Sequence, residues 1–244
     1  IGRITERVSR PVNMNWAWAS TTTEFVGFVD DDADLGDRPF LAPMEAMLET
    51  HPVIGMVIMP TVQVGEKGCL TKTPDLPVTA SAQDAALPVT TLTTLGCCLL
   101  RRSVPVRFDE AYFGSQVFDR DFGRDVAFHG WQVVADRRFL LGDRVTHYPA
   151  KSLFYHTMVC RNLQIYAAKW TNRRTWHGVH PWNAHHPKRE QIPSLEECSF
   201  WTEEQTIRYC ARWDQNSVRA FWWNPRFTDA VQLPAWFRRY EELL

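Results

Sequence analysis

The chain has 244 residues, 45% of them apolar and 23% charged, with a formal net charge of −1. Such a chain is long enough for a substantial core, and its composition excludes collagen, coiled coil, disulfide miniprotein and wholesale disorder. The near-neutral charge argues against a nucleic-acid partner, and no apolar run approaches the ~18–20 residues of a membrane span.

The opening Ile1-Gly-Arg-Ile-Thr-Glu-Arg7 carries charges where a signal peptide has its apolar region, so none is read there. Residues 12–20 read as a short helix. The run Glu24-Phe-Val-Gly-Phe-Val29 ends at Asp30 and reads as a strand buried on both faces, as in a parallel sheet. From Pro43 to Thr50, Met44, Met47 and Leu48 stand at helical spacing, with Pro43 in the first turn. Val53 to Met59 is a second buried strand. Strand, helix, strand makes a βαβ unit and predicts an α/β fold.

Residues 65–88 lack periodicity and are expected to form a long surface loop. Thr90 to Leu100 reads as a third strand, and Gly96 marks a place where something approaches the backbone closely. Arg101 and Arg102 form its polar end. Asp119 to His129 is expected as a helix with Gly130 after its C-cap, followed by strands at 131–135 and 139–145. A composition shift near residue 150 divides the chain into 1–150 and 151–244. The second part is a helical extension, with helices expected at 153–170, 203–213 and 235–244 and a loop at 171–194.

The six cysteines, at 69, 97, 98, 160, 198 and 210, contain no CxxC pair. Cys97 and Cys98 are expected as buried thiols, and a reducing cytoplasm is the expected compartment.

The sharpest feature is Phe28-Val-Asp-Asp-Asp-Ala-Asp34. Carboxylates so close repel one another unless a cation or solvent compensates. They follow a strand, at the edge where ligands bind in α/β sheets. Asp30 and Asp32 share a face in extended geometry, and such oxygen ligands suit Mg²⁺ or Mn²⁺ holding phosphate oxygens. The plainer alternative is a solvated acidic turn capping the next helix. A second cluster, Val117-Phe-Asp-Arg-Asp-Phe-Gly-Arg124, puts Asp119 and Asp121 at a helix start. There they either complement the helix dipole or act as a general base facing the first cluster. His147 follows the last strand of this part and reads as a packed or surface histidine or as a metal ligand.

Taken together, Phe25-Val-Gly-Phe-Val-Asp-Asp-Asp32, Leu95-Gly-Cys-Cys-Leu-Leu-Arg-Arg102, Arg107-Phe-Asp-Glu110, Phe118-Asp-Arg-Asp-Phe122, Gly130-Trp-Gln-Val133 and Val145-Thr-His147 resemble, in order and spacing, a family 2 glycosyltransferase of the GT-A fold. The resemblance covers roughly residues 10–150. It implies a GT-A-like, mixed and mainly parallel sheet flanked by helices, with the Trp-rich helical extension packed on it. It implies that Asp30 and Asp32 contact metal and diphosphate, with Asp31 a third contact and Gly96 lining the donor site. Asp119 is implied as the base with Asp121 beside it, and His147 as a further metal ligand. The implied cofactors are Mn²⁺ or Mg²⁺, with a nucleotide-diphosphate sugar as donor and a saccharide or lipid-linked acceptor. The chemistry implied is inverting transfer to an acceptor hydroxyl.

Three features depart from the family, the first being that the arginine often found on the helix face is displaced, with Arg124 followed by Asp125. Phe118 stands where the family has Glu, and its opening nucleotide-binding βαβ segment has no counterpart before Phe25. The chain is therefore expected to be the C-terminal portion of a longer enzyme.

Other readings remain. A nucleotidyltransferase shares a strand-end acid pair but opens on a Gly-rich phosphate loop, which is not visible here. A non-catalytic carbohydrate-binding or interaction domain would use the Trp- and His-rich stretch at 166–186. Those Trp side chains more simply pack helices, and the four His at 177, 180, 185 and 186 have no strong zinc spacing. Trp236, Phe237, Arg238 and Arg239 offer a peripheral membrane contact, at the cytoplasmic face.

Overall fold

The computed structural model describes residues 9–30, 33–35, 39–65, 68–69, 79–89, 95–113, 117–139, 141–143, 153–170, 192–202, 204–206 and 208–209. The chain divides into two units, Ile1–His147 and Tyr148–Leu244.

The first unit contains four helices, α1 (Arg10–Ala19), α2 (Leu41–Thr50), α3 (Ala82–Ala85) and α4 (Phe118–Phe128), among its described residues. Its strands are β1 (Phe25–Val29), β2 (Ala33–Asp34), β3 (Ile54–Ile58), β4 (Thr61–Gly65), β5 (Gly68–Cys69), β6 (Ala86–Pro88), β7 (Cys97–Arg101), β8 (Gln132–Asp136) and β9 (Leu141–Asp143). They form a five-stranded sheet in the order β1-β7-β3-β8-β6 and a four-stranded sheet in the order β2-β9-β4-β5. The fold is therefore mixed α/β, a sheet flanked by helices.

The strand directions differ from the mainly parallel sheet that was expected. In the larger sheet β3 and β8 run parallel, while β1–β7, β3–β7 and β6–β8 are antiparallel. In the smaller sheet β4 and β9 run parallel, with β2–β9 and β4–β5 antiparallel. Nor is β1 a central strand buried on both faces. It lies at the sheet edge with Val26 buried and Gly27 and Val29 exposed. An apolar run reports burial and says nothing of the direction of its neighbour. The directions nonetheless keep the functional logic intact. Because β1 and β3 both oppose β7, and β8 follows β3, the C-terminal ends of β1, β3 and β8 share one edge of the sheet.

Side-chain alternation distributes the core over two faces. Met44, Met47 and Leu48 of α2 cluster with Ile54, Val57, Cys97, Leu99 and Val134. Ile54 and Val57 reach that cluster together because the ladder slips at Gly55. No side chain fits at that slip: a Cβ on Gly55 would lie 2.8 Å from Trp131 Cβ and 2.9 Å from Val104 Cγ2. A second core is aromatic. Trp18, Phe28, Phe108, Phe118 and Phe122 meet mostly edge to face, with Phe108 stacked on Phe122 at 4.0 Å. The Asn15 amide brackets Phe108, donating to its carbonyl at 2.8 Å and accepting from its N–H at 2.9 Å, which ties α1 to this core.

The stretch at 65–88, expected as a loop, contains β5, α3 and β6 among its described residues. Ser81 caps α3 by accepting from the Asp84 N–H at 3.1 Å. β6 is short and ends in Pro88, which only a sheet edge accommodates. Gly130 takes φ +84° just after α4, as its C-terminal position expects.

In the second unit α5 runs Leu153–Trp170, as the sequence predicts. Met158, Ile165 and Trp170 are buried on it. Gln164 Nε2 donates to the Tyr209 hydroxyl at 2.6 Å and Arg161 Nε to the Pro193 carbonyl at 2.9 Å. A short helix, α6 (Leu195–Ser199), opens on a capping box of Ser194 and Glu197 that the sequence reading missed. Residues 204–206 and 208–209 are helical, while 171–191 and 210–244 lie outside the described residues.

Candidate functional site

Asp30 leaves β1 at the shared strand edge. Its N–H donates to the Gly96 carbonyl at 2.8 Å, just ahead of β7, and its own carbonyl accepts from the Ala33 N–H at 3.2 Å. Gly96 is buried at this join. Asp31, Asp32 and His147 lie outside the described residues.

The Asp30 carboxylate forms an ion pair with Arg10, the first residue of α1. The two side chains retain 22% and 34% exposure, so the pair sits at the surface of the site. The Arg10 Cζ lies 5.5 Å from the centre of the Phe118 ring, a cation–π contact. Phe118 opens α4, and Asp119 follows it in the first turn.

Asp119 is 9% exposed. Burial pushes its carboxyl up to about 7, against the lowering influence of the Arg120 N–H, the Arg120 charge and the Arg10 charge. Its Oδ1 accepts from the Arg120 N–H at 2.8 Å. Asp121 is more deeply enclosed, at 1% exposure, and its N–H donates to the Val117 carbonyl at 3.0 Å. Val117 itself holds φ +74°, a conformation a β-branched residue rarely adopts. Backbone strain of this kind collects at functional sites, and here it sits two residues before Asp119.

The fold therefore brings Asp30 and Phe118, at the start of α4, to one guanidinium. Sequence reasoning missed that guanidinium. Arg10 carries no motif signal, because a single arginine at a helix start is ordinary and only the fold places it against Asp30.

Two neighbours complete the edge. Cys98 lies opposite Phe28 in the β1–β7 ladder, and both it and Cys97 are buried free thiols as expected. Burial raises Cys97 to about 11 and Cys98 further, so neither is a ready nucleophile. Asp136, at the end of β8, is fully buried and bonded by Arg138 through Nε at 2.9 Å and Nη2 at 2.7 Å. Arg138 also donates to the Pro43 carbonyl at 3.1 Å, pinning the strand end to α2.

Among the described residues no group of three side chains suited to a metal is present. One hard oxygen ligand of the expected set is described, Asp30. It fits a Mn²⁺ or Mg²⁺ in donor type and partial exposure, but its charge is already matched by Arg10.

No family model matches the chain, and no curated protein matches it. Among solved structures it is similar to a mannosyltransferase, PcManGT, from Pyrobaculum calidifontis, in complex with GDP-Man and Mn²⁺, at a TM-score of 0.48 and 17% identity. That match covers 98% of this chain and 60% of the other, so the chain spans less than two thirds of that protein's length.

Proposed function

We propose that this chain is part of a metal-dependent glycosyltransferase that moves a sugar from a nucleotide-diphosphate donor to an acceptor hydroxyl with inversion. One observation carries the reading. Arg10 pairs with Asp30 at the end of β1 and lies over the ring of Phe118, the residue before Asp119, which supports reading the two acidic motifs, about ninety residues apart in the chain, as parts of one site.

In this reading Asp30, Asp32 and His147 hold the cation, with Asp31 and Gly96 alongside the donor. Bound Mn²⁺ or Mg²⁺ supplies charge neutralisation for the diphosphate as it leaves. Asp119 is the base. Its Oδ1 is held by the Arg120 N–H, and Oδ2 is assigned the proton of the attacking hydroxyl. A carboxyl near 7 suits that task, since the best general base titrates close to working pH. One base and a direct displacement invert the anomeric centre. Asp121, being more enclosed, supports the helix start. In this reading the acceptor is a saccharide or a lipid-linked acceptor, met in the cytoplasm. Among the described residues no helix is long and apolar enough to cross a membrane.

The test uses the full-length protein, Mn²⁺ and a panel of nucleotide sugars that includes GDP-mannose. Asp32→Asn is expected to abolish metal-dependent diphosphate binding. Asp119→Asn is expected to cut turnover about 10²–10⁴-fold, the usual worth of a general base, while donor affinity holds. Full activity in Asp32→Asn removes the site assignment, and full turnover in Asp119→Asn moves the base elsewhere.

A further inference from the structure

We infer that Arg10 is a positioning residue: it fixes a positive charge between the end of β1 and the start of α4, and that charge favours the carboxylate form of Asp119. The inference rests on the proposed role of Asp119 as base and adds what makes a buried carboxyl available for it.

Contacts on three elements hold the charge in place. Arg10 is the first residue of α1, a helix tied to the aromatic core by the two bonds between Asn15 and Phe108. Its guanidinium pairs with Asp30 and lies 5.5 Å from the centre of the Phe118 ring. That ring is 2% exposed and meets Phe108 edge to face at 5.9 Å, so it offers the guanidinium a fixed seat. Asp119 is the next residue of α4, and the Arg10 charge acts on its carboxyl in the direction of ionisation, against burial. An arginine keeps its charge at every working pH, so this influence is constant. Among the described residues, the other charged or titratable groups here are Arg120 and Asp121 on α4 itself, Asp30 after β1, paired with Arg10, and Cys98 on β7, a thiol that burial keeps neutral. Arg10 is the one cation among them that another element supplies, so its effect depends on how α1 is seated.

The test follows the Asp119 carboxyl by carbon-13 NMR titration of the full-length protein, with no donor or acceptor present. Alongside it, the pH dependence of turnover is measured with Mn²⁺ and the nucleotide sugar that the panel identifies. Arg10→Met is expected to raise the Asp119 midpoint by about half a pH unit, the worth of one partly screened charge, and to move the acid limb of turnover up equally. Asp30→Asn is expected to move the midpoint down, since it removes a negative charge and leaves that of Arg10 unmatched. Arg10→Lys keeps the charge and is expected to stay near wild type. A merely structural arginine gives the opposite sign, because a loosened α1 admits water to Asp119 and lowers its midpoint. A fallen or unchanged midpoint in Arg10→Met, shown to be folded by circular dichroism, overturns the inference and leaves the proposed function standing. So does an unchanged or raised midpoint in Asp30→Asn. A raised midpoint in Arg10→Met with an unmoved acid limb overturns the assignment of Asp119 as base and leaves the effect of the Arg10 charge standing.

Discussion

Asp119 holds its proton at pH values where an ordinary aspartate, at 3.8, has lost it, because ionisation inside α4's first turn gives up hydration that nothing fully replaces. This has a thermodynamic consequence separate from catalysis. Between its unfolded value of 3.8 and its folded value of about 7 the native state binds the proton and the unfolded chain does not. The protonated carboxyl therefore contributes its stability fully below 3.8. That contribution is lost as pH rises to about 7 and stays lost above. The slope from this group approaches ~1.4 kcal/mol per pH unit within that window. Asp119→Asn, which cannot ionise, is expected to remove the slope and to be more stable than wild type at pH 8. Denaturant unfolding of both proteins at pH 5, 6, 7 and 8 measures it. Parallel stability curves for the two would mean that Asp119 titrates as an exposed group. In the proposed role of base the same carboxyl must be unprotonated, so the pH that would favour turnover is the pH at which the fold gives up this stabilisation.

Arg101 and Arg102 show how one strand end serves two helices. Successive residues of a strand face opposite ways. Arg101 turns to the α2 side, where its Nη2 donates to the Leu48 carbonyl and its Nε to the Ile54 carbonyl at 3.4 Å. Arg102 turns to the α1 side and donates through Nη1 to the Trp18 carbonyl at 3.1 Å and the Thr21 hydroxyl at 2.8 Å. Each guanidinium satisfies carbonyls in the last turn of a different helix and complements its dipole. Arg101→Met and Arg102→Met are each expected to lower stability by about 1–2 kcal/mol, the net worth of charged hydrogen bonds to a helix end. Since the two guanidinium groups share no acceptor, their effects should add in the double variant. A strongly non-additive double variant would mean that α1 and α2 are coupled through β7. The same elements show what a sequence makes legible. The runs at 25–29 and 54–58 and the periodicities of α2, α4 and α5 announce themselves, because burial on a face or stripe leaves a composition pattern. Strand direction leaves none, so the antiparallel β1–β7 and β3–β7 ladders were not foreseen. β6 hid in a polar, Pro-containing stretch because an edge strand three residues long needs no apolar pattern. Of the candidate site, the placement of Asp30, Gly96 and Asp119 at element ends was legible. Arg10 was not, since its role depends on a contact between α1 and a strand it does not follow directly.

At the scale of the molecule, the ladder order decides which part opens last. β7 and β3 lie inside the larger sheet and are buried along almost their whole length, whereas among the described residues β1 and β6 each have one neighbour in that sheet. The β1–β7 ladder joins residues 68–76 apart and β3–β8 joins residues 77–78 apart, so the interior strands hold together distant parts of the chain. Opening β3 or β7 breaks two ladders and exposes both cores, the α2 cluster and the aromatic one. Opening β1 breaks one ladder and exposes mainly Val26 and Phe28. Local opening free energies scale with the contacts that must be broken. Hydrogen exchange of the native chain is therefore expected to be slowest at the amides of Val57, Ile58, Leu99 and Leu100. Amides of β6, and those of β1 directed away from β7, should exchange sooner. Site and stability then separate along the sheet. Asp30 sits on the edge strand that opens early, while its backbone anchor, Gly96, leads into the interior strand that opens last. Exchange at Asp30 as slow as at Leu100 would refute this order, and would place the acidic strand end inside the same cooperative unit as the core.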